Sequence, residues 1–473
     1  MQHETMLLRS TILTFASFMA LTAEARGVSP WLPLSQAPEI ERMIERVLIL
    51  ADKPVLTRPI AAATVFDALP AACERDADVC AEVRHYLRGF MKEVGIAHLS
   101  LAAGVASGEE TPLQNRHGMG ADSFYEMTGR VYWQPADHLL VTGGFTAYDG
   151  EILPTGSLLS VGFDFAQLDI GWRGHWLSPM TDSAMLLGTQ AQAMPSITLS
   201  NYRPLTRFGI HYEMFYAEMS ESDNIRFEGG FTTGKPKLAG LHLSIEPVPG
   251  WTIGANRLMQ YGGGERGSDS PGDLFDALFR PSLYDNTGTV TDFGNQLASF
   301  TSRFLLRTPV PFAIYFEYAG EDTSTNNDLR LGNAALSAGI HFPRLGRNLV
   351  LTLEASEWQN GWYVHHIYRD GLRNEGNAIG HWGGDWRALD DGVGAMSLMA
   401  RAGWQLRSGD SIEATYRTLK NEDYSATDYQ RAHSVDVRYS RRWRREFLVG
   451  GELNVGRDVF GENYSRVSAF FRF

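Results

Sequence analysis

The 473-residue sequence predicts a large antiparallel β-barrel that crosses a membrane, and three observations lead to this fold class. From about residue 98 onward, short segments of alternating polar and apolar residues are separated by Gly, Asn, Asp and Pro, as in a series of strands and turns. The 48 glycines and the low share of charged residues, 21%, suit one turn-rich β architecture. Beyond the N-terminus, no segment contains the ~18 consecutive apolar residues that a membrane-spanning helix needs.

The last segment of the chain carries the clearest strand pattern. Val467, Ala469 and Phe471 occupy every second position, and the chain ends on Phe473. Such alternation places the apolar side chains on one face of a strand. A terminal phenylalanine resembles the recognition signal at the C-terminus of bacterial outer-membrane barrels, so we expect Phe473 to serve as that signal.

Two segments further back in the chain predict that the charged face of the strands lines a lumen. Apolar residues alternate from Met396 to Leu406, with Arg401 on the opposite face, and Glu413 and Arg417 follow the same rule in the next segment. A soluble two-sheet sandwich would bury a dry core on that face, so the charges favour a water-filled barrel interior. About 370 residues at about 20 per strand and connection give roughly 16 to 20 strands, and we expect about eighteen because single-chain barrels have even numbers.

Counting back from a C-terminus in the periplasm assigns a side to each connection. The short turns at 408–410 and 440–445 fall on the periplasmic side, and the long loops at 262–295 and 359–394 fall outside the cell. The number of strands counted in this way becomes odd near residues 179–193, so the side of the membrane on which the earlier loops lie is undecided.

The N-terminus predicts export. Residues 1–25 have the pattern of a secretory signal peptide, because an apolar core precedes an A-x-A cleavage site that ends at Ala25. A buried N-terminal helix is the alternative. Cleavage would leave a helical periplasmic segment at 26–96 and a transmembrane barrel at 97–473.

Helical periodicity organises the segment before the barrel. Pro38 opens a first helix, a second helical piece at 64–69 is broken by Pro70, and a third helix runs over about 78–93.

The two cysteines, Cys73 and Cys80, are expected to form a disulfide, because an exported chain meets an oxidising compartment. On one continuous helix their Cα atoms would lie roughly 10 Å apart, beyond the ~7 Å limit for a disulfide, so residues 74–77 should form a loop. Two free thiols on one helix are the alternative. A metal role is less favoured, since a structural zinc site needs four ligands.

Charge and motifs argue against several function classes. A net charge of −13 argues against nucleic acid and would also oppose an acidic polysaccharide. The G-x-G-x-x-G spacing at 262–267 is not followed by a helix, and the G-x-x-x-x-G-K spacing at 229–235 is followed by Pro236 instead of Ser or Thr. His365 and His366 are adjacent, so their rings would point to opposite sides of a strand. We therefore expect no enzyme, no cofactor and no metal site.

Several stretches of the sequence resemble the Wzi family of capsule-assembly proteins. They comprise residues 29–34, the most specific stretch at 174–197, and the segments 315–322, 368–373 and 379–385. Together with the helical lead, the resemblance covers essentially the whole mature chain. It implies an eighteen-stranded outer-membrane barrel that is occluded by its loops and helices, acts as a lectin for capsular polysaccharide, and has no catalytic residue.

The same stretches concentrate the residue types that bind sugars. Aromatic faces cover the apolar side of pyranose rings, and Arg, Asp or Asn bind hydroxyl and carboxylate groups. Aromatic girdles and lumen-bracing ion pairs use the same residues, so both interpretations stay open. The candidate carbohydrate-binding residues are Trp172, Arg173, His175, Trp176, Trp362, Tyr363, His366, Arg369, Arg373, His381, Trp382 and Asp385.

The expected function is attachment of capsular or related extracellular polysaccharide to the cell surface. The protein would be a monomer in the outer membrane of a Gram-negative bacterium, in contact with outer-membrane lipid and lipopolysaccharide. The alternative is a porin or a sugar or polysaccharide channel, which the same barrel supports if its loops leave a pore.

Overall fold

The computed structural model describes residues 27–34, 38–266, 272, 293–324, 327–406, 410–444 and 447–473. The predicted signal peptide with Ala25, most of the predicted loop at 262–295 and parts of the two predicted periplasmic turns lie outside the described residues.

Three helices form the N-terminal segment: α1 (Pro38–Leu50), α2 (Ala62–Cys73) and α3 (Ala77–Leu87). A short 3-10 helix at Arg88–Met91 follows α3, so the third helix is shorter than predicted. The prediction that Pro70 breaks the second helix is wrong, because Pro70 lies inside α2. Less than one turn follows the proline, so its missing N–H affects the helix only near its end.

A helix cap and a disulfide bond stabilise the connection between α2 and α3, and a shared core holds all three helices together. The side chain of Asp76 accepts a hydrogen bond from the backbone N–H of Val79 at 3.1 Å and so starts α3. Cys73 and Cys80 are bonded across this turn, with their Cα atoms 5.1 Å apart. Apolar side chains from all three helices share one buried core, which includes Val47, Leu48, Val65, Leu69 and Val83.

The described part of the chain contains 25 strands. They are β1 (Val94–Gly108), β2 (Tyr125–Ala136), β3 (Leu139–Tyr148), β4 (Glu151–Leu153), β5 (Leu158–Phe163), β6 (Ala166–Gly171), β7 (Ser196–Ser200), β8 (His211–Glu218), β9 (Ser222–Phe227), β10 (Gly230–Gly234), β11 (Lys237–Val248), β12 (Trp251–Tyr261), β13 (Gly294–Leu306), β14 (Phe312–Gly320), β15 (Asp322–Ser324), β16 (Asn327–Gly332), β17 (Ala335–Leu345), β18 (Leu349–Trp358), β19 (Arg373–Asn374), β20 (Asn377–Ala378), β21 (Ala395–Gln405), β22 (Ser411–Asn421), β23 (Ala432–Arg444), β24 (Phe447–Arg457) and β25 (Asn463–Arg472).

Eighteen of these strands form a closed antiparallel ring, which confirms the predicted strand number. The ring closes where β25 pairs with β1, with Arg472 opposite Ser100. The short strand β4 pairs with the end of β3, and the pairs β9–β10, β15–β16 and β19–β20 are hairpins within loops. The first barrel strand begins at Val94, slightly before the predicted boundary at 97.

The two ends of the barrel differ in their connections. Short turns, such as those at 249–250 and 346–348, join strands at one end, which we call the turn end. Phe473 lies there too, since its N–H donates to the carbonyl of Leu99 at 2.8 Å. The opposite end, called the loop end, carries the long connections. They include residues 172–195, called the inner loop, and residues 359–394, called the outer loop.

Side chains alternate between the outside and the lumen of the barrel. In β25, Arg466, Ser468 and Arg472 are buried on the inner face, whereas Val467 is 54% exposed on the outer face. This is the predicted arrangement, with charge inside and apolar residues outside. Among the described residues, no helix has the length and apolar character to cross a membrane.

Protein occupies part of the lumen, in agreement with the occlusion by loops and helices that the family resemblance implies. From α1, Glu45 binds Arg303 of β13 at 2.6 Å, and Arg42 pairs with Glu413 of β22. From the inner loop, the hydroxyl of Ser178 donates to Glu317 of β14 at 2.6 Å. The charged inner face predicted from the strands therefore binds α1 and the inner loop.

Candidate functional site

The inner loop is fastened to the barrel wall through Asp182. Its carboxylate binds Arg417 at 2.7 Å and Arg401 at 3.1 Å, and it accepts a hydrogen bond from the indole N–H of Trp382 at 3.1 Å. Burial raises the pKa of Asp182, but the charges of Arg417 and Arg401 outweigh burial and lower this pKa to about 2. The carboxylate is therefore ionised at neutral pH and holds the loop inside the lumen.

Arg173 and His175, two predicted site residues, brace the start of the inner loop. Arg173 binds Asp169 at 2.7 Å and Glu213 at 2.6 Å, and its guanidinium lies 3.9 Å from the centre of the Trp31 ring. The Nδ1 atom of His175 lies 2.7 Å from Glu213. Burial lowers the pKa of His175. Both side chains are buried instead of facing solvent; Arg173 ties the N-terminal segment to the wall through Trp31, and His175 contacts the wall at Glu213.

Trp176 also connects the inner loop to the N-terminal segment. Its indole N–H donates to the carbonyl of Met180 at 2.8 Å, and its backbone forms a β-bridge with Arg58. Trp176 is 4% exposed. Trp172, at the entrance of the inner loop, is partly exposed.

The first predicted residues of the outer loop are also buried. The indole N–H of Trp362 donates to the carbonyl of Asn333 at 2.6 Å, and the hydroxyl of Tyr363 donates to the carbonyl of Met185 at 2.6 Å. Burial raises the pKa of Tyr363, so its hydroxyl stays protonated and can donate. The bond of Tyr363 packs the outer loop on the inner loop, and the bond of Trp362 joins it to the connection before β17.

Further along the outer loop, four predicted site residues form one packed group. Arg373 pairs with Asp385 and donates to the carbonyl of Gly384 at 2.6 Å. Trp382 and His381 are fully buried, and their ring centres lie 4.8 Å apart. Burial lowers the pKa of His381, so this ring is neutral.

The structure thus joins most of the predicted residues into a framework, while His366 and Arg369 are exposed at the loop end. Arg369 pairs with Asp390 of the same loop. Sugar contact stays a prediction for all twelve residues, and the side chains of His366, Arg369 and Trp172 reach the surface.

Sequence reasoning missed a group that we call the aromatic ledge, formed by the exposed Leu389, Tyr424 and Phe460 and the partly buried Tyr429. Leu389 is 62% exposed, Tyr424 63% and Phe460 47%. The rings of Tyr429 and Phe460 lie 5.8 Å apart. These residues come from three separate loops, so the only available signal was the large apolar or aromatic character of their side chains within turn sequences.

A cavity of about 220 Å³ remains in the lumen between α1 and the inner loop. Charged side chains line much of it, including Glu41, Arg58, Asp182 and Arg438. Within the described ranges, no group of three or more His, Cys, Asp or Glu side chains is placed to hold a metal ion.

A known protein is similar to this chain in part of its sequence, and a solved structure is similar to it in fold. A relative from Klebsiella pneumoniae, named "Uncharacterized 55.8 kDa protein in cps region", is 36% identical over 90 residues. The match covers 19% of this chain and 17% of the relative, so it spans less than a fifth of either protein. A solved structure of Wzi from Escherichia coli is similar over 95% of this chain and 99% of that chain, with a TM-score of 0.67 and 14% identity. That protein is described as an outer membrane protein involved in group 1 capsule assembly and as a carbohydrate-binding β-barrel.

The family comparison covers most of the chain. The model of the family described as "Capsule assembly protein Wzi" matches residues 103–463, from the first barrel strand to the last. The solved Wzi structure shares the fold found here, a barrel preceded by helices. The chain belongs to the Wzi family of capsule assembly proteins.

Proposed function

We propose that this protein lies in the outer membrane of a Gram-negative bacterium and binds capsular or related extracellular polysaccharide, which it holds at the cell surface. The observation that carries the proposal is the occupied lumen of a Wzi-family barrel. Since α1 and the inner loop are both ion-paired to the wall inside the lumen, the barrel is suited to binding at its surface rather than to transport through its interior.

The outer surface supports the location. Large apolar side chains such as Leu243 of β11, Phe300 of β13, Phe316 of β14 and Leu336 of β17 are 43 to 62% exposed on one side of the barrel. A contiguous exposed apolar surface of this kind is stable against lipid and unfavourable in water. In the membrane, the turn end and the N-terminal helices face the periplasm, and the loop end faces the outside of the cell.

The role we propose is binding without catalysis. The carbohydrate-binding description of Escherichia coli Wzi supports polysaccharide as the ligand class. The buried hydrogen bonds of Trp362, Tyr363 and Trp382 support a binding role, because they hold the loop end in one arrangement and lower the entropy lost on binding.

The test uses purified full-length protein in detergent micelles and polysaccharide washed from cells of the source bacterium. Immobilised native protein should retain the polysaccharide, and the same protein unfolded by boiling should not. In a planar bilayer the protein should pass almost no ionic current, because the lumen is filled. A steady, sugar-blocked current without retention of polysaccharide would favour the channel alternative and contradict the proposal.

A further inference from the structure

The aromatic ledge lies in a strongly acidic part of the loop end. The segments that carry it, residues 386–394, 422–431 and 458–462, contain seven carboxylates and two arginines. One of the arginines, Arg387, is buried and donates to the carbonyl of Val393 at 3.0 Å. The exposed surface around the ledge is therefore dominated by negative charge.

Three nearby cations are engaged by the protein, and a fourth, Arg431, is exposed. Arg369 pairs with Asp390, and Lys420 binds Asp423 at 3.2 Å. The side chain of Arg457 donates to the carbonyl of Gly461 at 2.9 Å. An anionic polymer at the ledge would have to compete with these contacts while facing the surplus of carboxylates, which act over a Debye length of about 8 Å.

The ledge is also held in one arrangement. The hydroxyl of Tyr429 donates to Asp391 at 2.7 Å and accepts a hydrogen bond from the N–H of Ala388 at 2.9 Å. The hydroxyl of Tyr424 accepts a hydrogen bond from the N–H of Gly394 at 2.8 Å. These bonds tie two loops together and fix the rings before any ligand arrives, which lowers the entropy cost of binding.

Beside the rings, Asp391 supplies a carboxylate that can accept hydrogen bonds from a ligand. It accepts hydrogen bonds from Tyr429 and, at 2.6 Å, from Ser425. Burial raises the pKa of Asp391, but the hydrogen bonds from Ser425 and Tyr429 outweigh burial and lower it. An ionised carboxylate only accepts hydrogen bonds, so it attracts sugar hydroxyl groups and repels uronate, sulfate or phosphate groups.

We propose, on the basis of the proposed function, that the aromatic ledge is the binding site and that its ligand is an uncharged polysaccharide. The apolar faces of successive sugar rings lie on Phe460 and Tyr424, and hydroxyl groups of the sugar donate to Asp391. Aromatic stacking supplies the attraction, and the surrounding carboxylates exclude anionic polymers.

The test fractionates the washed polysaccharide by anion exchange into a neutral and an anionic pool and measures retention of each pool on the full-length protein. The wild type should retain the neutral pool, with an affinity that changes less than about twofold between about 0.05 and 0.5 M NaCl. Phe460→Ala should weaken retention about tenfold, and Phe460→Trp should preserve it. Phe208→Ala is the matched control, since Phe208 is 49% exposed but lies at the turn end. Unchanged heat-dependent gel mobility would show that each variant folds.

Retention of the anionic pool, with binding that weakens as salt rises, would overturn the uncharged ligand. Neutral polymer bound equally well by the wild type and Phe460→Ala would overturn the ledge as its site. Both results would leave the proposed function standing. If the wild type retains neither pool, the proposed function itself fails.

Discussion

At the scale of single residues, Asp182 connects three parts of the molecule through one carboxylate. It lies on the inner loop, binds Arg417 and Arg401 on the wall, and accepts a hydrogen bond from Trp382 of the outer loop. Removing one partner of a buried ion pair leaves the other charge uncompensated, which costs more than the pair itself contributes. Asp182 is therefore where we expect a single substitution to loosen the loop end.

Asp182→Asn should destabilise the folded protein by about 3 kcal/mol, because Arg401 and Arg417 then lose this buried carboxylate, although Arg417 keeps its pair with Asp436. The measurement is the urea concentration, or the temperature, at which the protein loses the fast gel mobility of a folded barrel. Asp423→Asn is the matched control, since the carboxylate of Asp423 is 83% exposed and pairs with Lys420 at the surface. Equal transitions for the two variants would show that Asp182 does not fasten the loop.

Residue composition predicted where site residues concentrate but not which of them face solvent. Trp382 and Phe460 are both aromatic residues in loop-end segments, yet Trp382 is fully buried and Phe460 is 47% exposed. The difference arises from contacts such as Trp382 with Asp182, which join residues 200 positions apart. Local patterns carry no information about such distant pairs.

At the scale of elements, α1 acts as a plug that is held by charges. Glu45 is buried between Arg303 of β13 and Arg58, and Arg42 pairs with Glu413 of β22. Burial raises the pKa of Glu45, but Arg303 and Arg58 outweigh burial and lower this pKa from 4.5 to about 2. A carboxyl with a lowered pKa stabilises the folded state above its ordinary pKa and ceases to do so as the pH falls through the lowered value.

Acidification from pH 4.5 to about 2 should therefore weaken the attachment of α1. Hydrogen exchange of the α1 amides, corrected for the intrinsic effect of pH, should become faster across this window. Glu45→Gln cannot titrate, so its α1 should exchange faster already at neutral pH and respond less to acid. Protection of α1 that stays constant down to pH 2, or identical pH profiles for the two proteins, would contradict this account.

Regular elements were predictable because their signals are local. The alternation in β25 follows from a period of two residues, and the helical stripe of α1 follows from a period of about 3.6. The path of the inner loop was not predictable, and the strand count became odd there. This loop has few strand residues of its own and is positioned by pairs such as Asp182 with Arg417, 235 residues apart.

At the scale of the whole molecule, a closed barrel with a filled lumen leaves the loop end as the surface available to a large polymer. Eighteen strands provide the wall, α1 occupies the turn end, and the inner and outer loops pack on each other at the loop end. The central claim is that this assembly retains polysaccharide at the cell surface and does not make or export it.

Deletion of the gene, with measurement of polysaccharide in the cell-bound and released fractions, tests this claim most directly. The account predicts an unchanged total amount, with most of the polysaccharide moved from the cells to the medium, and restoration of the bound fraction when the wild-type gene is returned. Loss of total polysaccharide would contradict it by showing a role in synthesis or export, and an unchanged bound fraction would contradict it by showing that the protein does not retain the polymer.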